Sequence, residues 1–300
     1  MLKYRLITGP ILVAVLLGLV LLDNYLDTVT LNEWWSNLFN GKPHPPKGIV
    51  LFIVGLIVAA LAGVELSRII AVQGIQSRAW LTSVAAMLGL VVSYSIPMST
   101  GAIDTVALVA TAMILVFVAA ILTFSRQRNV VGVLAAAGAV MFAMVYLGLM
   151  FGFLLALRRE HSAWIIVGVI ALTKMCDTGA YFTGRAIGRH KLIPWLSPGK
   201  TWEGLIGGVA SAGLLGILLA VVGRSILPET DHLTWWSGLI CGVVFGAIGQ
   251  AGDLTMSLLK RGAGVKDSGS LLPGLGGVLD VLDSPLLVAP VAYWLLQILP

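Results

Sequence analysis

GIVLFIVGLIVAALAGV, residues 48–64, carries no charged side chain from end to end. A run of this length and uniform apolarity reads as a helix crossing a lipid bilayer, where a backbone can satisfy its polar groups only within its own segment. Working outward, similar runs recur at residues 6–22, 79–96, 105–124, 130–157, 162–176, 205–222, 237–249 and 286–299. Several fall short of the ~20 residues a span needs, so their ends must borrow from the flanking loops. Of the 300 residues 58% are hydrophobic and 11% charged, against about 25% charged in a soluble domain. The fold class that follows is an all-α polytopic membrane protein of about nine transmembrane helices.

Lys3 and Arg5 before the first run give it the look of a signal peptide, but no small-residue cleavage site precedes Asp23, so a retained first span is expected. Residues 23–47 read as a polar loop, with Trp34 and Trp35 at the membrane interface. With the N-terminus inside, the cytoplasmic face receives Lys3, Arg5, Arg68, Arg78, Arg126, Arg128, Arg185, Arg189, Lys191, Lys200, Lys260, Arg261 and Lys266. The opposite face receives Lys42, Lys47, Arg158, Arg159 and Arg224, a bias of thirteen against five. Both late charged segments, 177–204 and 250–284, then face the cytoplasm, where they are expected to form a polar cavity.

No soluble domain, linker or internal repeat interrupts this pattern. The expectation is one membrane domain over 1–300, with structural helices in 1–160 and the chemistry in 161–300. The net charge of +5 does not indicate nucleic acid, because the basic residues lie between apolar runs and not in a patch with interleaved aromatics. Cys176 and Cys241 lack the spacing of a disulfide framework or a zinc site and read as small buried hydrophobes. His44, His161, His190 and His232 are scattered and read as solvated.

Residues 251–285, AGDLTMSLLKRGAGVKDSGSLLPGLGGVLDVLDSP, gather Asp253, Lys260, Arg261, Lys266, Asp267, Asp280 and Asp283 into one Gly-rich segment. On a helix Asp253, Ser257 and Lys260 share one face, and Asp280 and Asp283 another. Two carboxylate clusters flanking a basic loop suit a hard cation such as Mg²⁺ bridging acids to phosphates, with Lys and Arg neutralising the remaining charge. A second constellation, DTGAYFTGRAIGRHKLIPWLSPGKTWEGLIGG at 177–208, places Asp177, Tyr181, Gly184 and Gly188 on one helical face. There Ser197 and Thr201 can cap a helix or bind phosphate, Lys200 adds charge, and Glu203 stands near a helix start. The local Gly-Lys-Thr at 199–201 lacks the spacing of a Walker A loop.

Both segments resemble the phosphatidate cytidylyltransferase (CDP-diacylglycerol synthase) family. Its signature is matched at Ser257, Lys260, Arg261, Lys266, Asp267, Pro273, Gly274, Gly276, Gly277, Asp280 and Asp283. A second family pattern is matched at Asp177, Ala180, Tyr181, Gly184, Arg185, Ser197, Pro198, Lys200, Thr201, Glu203 and Gly204. Leu275 stands where the family usually has His, and Val281 where it usually has Arg. The resemblance implies transfer of a cytidylyl group from CTP to phosphatidate in phospholipid synthesis, in a bacterial inner membrane, with a homodimer as a family expectation. It implies Lys260, Arg261, Lys266 and Asp267 as catalytic residues. Substrate would be bound by Asp177, Tyr181, Arg185, Ser197, Lys200, Thr201, Glu203 and Ser257. Asp253, Asp280 and Asp283 would hold Mg²⁺, with a second ion left open.

Other readings stand beside this one. A CTP-dependent lipid-alcohol kinase would need a general base; a secondary transporter would carry a structural repeat; a non-catalytic paralogue would account for Leu275 and Val281. Taken singly, Asp253 could be a helix cap, and the glycines at 274–277 could serve helix packing. Lys174 either snorkels or pairs with Asp177, and Glu65 is ambiguous in the same way.

Overall fold

Side chains that are apolar around most of a helix leave it no soluble surface, and the chain is accordingly a series of long helices. The computed structural model describes residues 2–39, 41–96, 101–126, 131–226 and 233–299. In chain order these form α1 (Leu2–Leu26), α2 (Glu33–Leu38), α3 (Ile49–Val72), α4 (Ala79–Ser95), α5 (Ala102–Ser125), α6 (Val133–Ala143), a π-helical turn (Met144–Leu149) and α7 (Met150–Glu160). Then come α8 (Trp164–Ile187), the strands β1 (Lys191–Ile193) and β2 (Ser197–Thr201), α9 (Trp202–Ile226), α10 (Trp235–Gly262) and α11 (Val278–Ile298). Among the described residues eight helices are long and apolar enough to cross a membrane, and α4 is a shorter apolar helix. The protein is thus an all-α polytopic membrane protein.

The helices overrun the expected spans at their charged ends. α1 carries Asp23 into what reads as a loop, α8 continues past Asp177 to Ile187, and α10 continues through Asp253, Ser257 and Lys260 to Gly262. The expected span at 130–157 starts on a residue outside the described set, and Arg128 and His232 also lie outside it.

The chain divides into two compact units. The first comprises Met1–Ala163 with Ala263–Val281, so this part of the late charged segment packs with the N-terminal helices. Its core joins α4, α5, α6 and the π-helical turn through Leu81, Ala85, Val116, Phe124, Val140 and Met144. The backbones of α4 and the π-helical turn meet at Gly89 and Gly148, where a Cβ on Gly89 would lie 2.6 Å from the carbonyl oxygen of Met144. Arg158 is fully buried. Its Nε donates to Asp23 and its terminal nitrogen to Asp27 at 2.7 Å, while Asp23 also accepts from the amide of Val50 at the start of α3. Arg158 thus ties α1, α3 and α7 together.

The second unit comprises Trp164–Gly262 with Leu282–Pro300. Its helices α8, α9 and α10 pack through small residues: Gly204, Gly208, Ala212, Gly216 and Ala220 form a buried stripe along α9 at i, i+4 spacing. Small residues let helix backbones approach closely where there is no hydrophobic force to drive association. Here a Cβ on Gly216 would collide with the carbonyl of Gly238 on α10, and one on Gly208 would reach the Cys176 carbonyl of α8 at 2.5 Å.

Candidate functional site

In the second unit close packing brings charge together within apolar helices. Lys174 and Asp177, one turn apart on α8, are 3.4 Å apart. Gln250 of α10 donates to the other oxygen of Asp177 at 2.7 Å. Lys200, at the end of the hairpin, lies 2.5 Å from Asp253 on α10. Asp283 of α11 is 4.0 Å from Lys174, and its carboxylate neighbours that of Asp253. One glycine makes this last approach feasible: a Cβ on Gly252 would sit 2.6 Å from the Asp283 carbonyl oxygen. Asp283 and Lys260 are buried, and Lys260 adds its field at Asp253. Ser284 donates from both its amide and its hydroxyl to Asp283.

The hairpin is held by two of the expected residues. Thr201 caps α9 by accepting from the Gly204 amide at 3.1 Å. Glu203 accepts from the amides of Arg189 and His190 at 3.1 and 3.2 Å, and its carboxylate is 2.6 Å from the His190 ring. The His190 side chain itself stays largely exposed, as the solvated reading expects. Arg185 donates to the Tyr181 hydroxyl at 3.0 Å, both side chains being exposed. Ser197 opens β2, Ser257 is half-buried on α10, and Arg261 is exposed near the end of α10.

The remaining expected residues belong to the first unit. Lys266 and Asp267 are exposed in the loop after α10. Asp280, in the first turn of α11, accepts through Oδ2 from the amides of Ser268 and Gly277, both at 2.8 Å, and from the Ser268 hydroxyl at 3.0 Å. Glu65 of α3 accepts from the same hydroxyl at 2.8 Å. The glycines at 274–277 serve this turn and not helix packing: Gly274 and Gly276 have φ of 82° and 97°, where a side chain is strained. Leu275 lies in the turn and Val281 on α11, both half-buried.

Among the described residues no group of three acids, histidines or cysteines converges to hold an ion unaided. Mg²⁺ does not require one, since it commonly takes one or two carboxylates and completes its shell with water and phosphate oxygens. The adjacent Asp253 and Asp283 carboxylates, all-oxygen donors with lysines at hand for phosphate, fit that ion. Sequence reasoning passed over Gln250, Ser268 and Ser284. Gln250 had a usable signal: it stands three residues before Asp253, one helical turn away. Cys176 and Cys241 are buried free thiols.

Residues 45–299 match the cytidylyltransferase family. The chain is 44% identical over 124 residues to a phosphatidate cytidylyltransferase of Haemophilus influenzae, covering 41% of this chain and 42% of the relative. It is 40% identical over 138 residues to the uncharacterized Escherichia coli protein YnbB, covering 46% and 44%. A phosphatidate cytidylyltransferase of Bacillus subtilis is 36% identical over 163 residues, covering 54% and 58%. The chain thus spans about half the length of the curated relatives it matches.

Proposed function

The chain belongs to the cytidylyltransferase family, and on that premise we propose that it transfers the cytidylyl group of CTP to phosphatidate, giving CDP-diacylglycerol and pyrophosphate for phospholipid synthesis. The observation that carries this reading is the cluster in the second unit, where Asp253 and Asp283 on apolar helices lie beside Lys174 of α8 and Lys200 of the hairpin. Ionisable groups are costly within apolar helices, and a cluster of both signs indicates a task.

A phosphate oxygen of phosphatidate attacks the α-phosphorus of CTP. As that P–O bond forms, the bond from the α-phosphorus to the bridging oxygen of the β-phosphate breaks, and the electron pair leaves with pyrophosphate. The nucleophile is already an anion, so no side chain need remove a proton; the protein must bring two anions together and hold them in line. Lys260, Arg261 and Lys266 bind the triphosphate or lipid phosphate, and Lys200 and Ser197 contribute from the hairpin. Asp177, held by Lys174 and Gln250, with Tyr181 and Arg185, orients the substrates. Thr201 and Glu203 hold the hairpin in shape for this contact, Ser257 contributes from the α10 face it shares with Asp253, and Asp267 is a further catalytic candidate beside Lys266. The ligands for Mg²⁺ are drawn from Asp253, Asp280 and Asp283; when bound, the ion neutralises phosphate charge and polarises the phosphoryl oxygens.

The Lys and Arg asymmetry of the loops supports a cytoplasm-facing cavity in a bacterial inner membrane, on the side that holds CTP. The proposed working form is a homodimer, and nucleic acid is not a proposed partner. The test is a transfer assay on protein in detergent with phosphatidate, Mg²⁺ and CTP labelled at the α-phosphate. Metal-dependent movement of label into lipid, lost in Asp283→Asn, is the expected result. Folded protein that binds CTP yet leaves lipid unlabelled would overturn the reading.

A further inference from the structure

Glu65 lies within the apolar helix α3, 203 residues before Ser268, and is buried at 5% exposure. Its carboxylate receives three donors from the late loop. Oε1 accepts from the Val278 amide at 2.9 Å; Oε2 accepts from the Leu279 amide at 3.0 Å and from the Ser268 hydroxyl at 2.8 Å. Val278 and Leu279 open α11, and the first amides of a helix have no partner within it. Such amides are ordinarily met by a Ser, Thr, Asp or Asn beside them. Here the preceding residue is Gly277, which has no side chain, and the acceptor comes from a different helix. Glycine is needed at this place, because a Cβ would collide with Glu65 and Ser268; at Gly269 it would lie 2.7 Å from Glu65 Oε1.

Ser268 also links Glu65 to Asp280: its amide donates to Asp280 Oδ2, and its hydroxyl, carrying one proton, is shared between that oxygen and Glu65 Oε2. We propose that Glu65 is a positioning residue that clamps the 268–279 turn and thereby fixes the torsion of the Asp280 carboxylate for divalent-ion binding. The proposal rests on the reading of Asp280 as an ion ligand. Glu65 touches neither substrate nor ion; it acts through Ser268 and the start of α11.

The test compares full-length wild type, Glu65→Gln, Glu65→Asp and Ser268→Ala in detergent. Amide hydrogen exchange over 265–280 reads the clamp, and Mn²⁺ binding without nucleotide reads the ion site. Glu65→Gln turns one acceptor into a donor facing an amide, so exchange at 277–279 accelerates and Mn²⁺ affinity falls about 10–100-fold, the usual effect of losing a group that orients a ligand. Ser268→Ala, which leaves both amide contacts to Glu65, lowers affinity less, and Glu65→Asp recovers part of the loss. Unchanged exchange in Glu65→Gln refutes the clamp. Faster exchange with unchanged Mn²⁺ affinity, or wild type that binds no Mn²⁺, refutes the positioning role. Both readouts hold whether or not the protein transfers cytidylyl groups, so failure of the reaction is seen separately.

Discussion

Replacing Lys200 by Met removes the charge 2.5 Å from Asp253 while keeping most of the apolar stem. At that separation the gross attraction is roughly 7 kcal/mol at an effective dielectric near 20. Desolvation of two ions cancels much of it. The side chains also keep 21% and 30% of their exposure, so solvent screens the pair further. A net coupling of about 1–3 kcal/mol remains, or about 5–150-fold in an equilibrium constant. The charge is missed because Asp253 then faces Asp283 with less cation nearby, Lys174 being 4.0 Å from Asp283. Asp253→Asn in the same chain removes that repulsion, so the double variant is more stable than the sum of the single losses predicts. The assay is unfolding by SDS in mixed micelles, followed by tryptophan fluorescence, on all four members of the cycle. The double variant regains stability but not cytidylyl transfer, which separates folding from function. Additivity within about 0.5 kcal/mol would refute the ion-pair argument.

Arg158→Met strands Asp23 and Asp27 without their cation and costs about 3–5 kcal/mol in the same unfolding assay. Gly216→Leu drives a side chain into the Gly238 carbonyl and abolishes folded monodisperse protein on size-exclusion chromatography. Gly138→Leu, which meets open space, leaves the elution profile unchanged. Gly277→Ala pushes on Glu65 and Ser268, and the resulting shift of Asp280 lowers transfer about 100-fold in the labelled-CTP assay.

The positions of the membrane helices were legible because long apolar runs have few other uses. Their ends were not. Asp177 and Asp253 look like loop residues when read alone, yet each has a lysine beside it, and neutralised pairs let a helix continue through them. Asp23 in α1 was hidden likewise, since its partner Arg158 lies 135 residues away. The π-helical turn at Met144–Leu149 leaves no mark on an all-apolar stretch. The hairpin strands are too short for an alternating pattern to show. Of the candidate site, the acids and bases were legible as a density of charge that an apolar chain does not carry without cause. Their grouping was not: one helix, α11, has Asp280 in its first turn held by the Ser268 loop and Asp283 one turn later beside Asp253. The role of Glu65 depends on a contact that no local pattern records.

The most direct test of cytidylyl transfer follows two labels in parallel reactions of the same preparation, CTP labelled at the α-phosphate and CTP labelled at the γ-phosphate, each with phosphatidate and Mg²⁺. The expected result is α-label in a CDP-lipid and γ-label in released pyrophosphate. Label from the γ-position in lipid, with none from the α-position, would contradict it and assign a phosphoryl-transfer reaction instead.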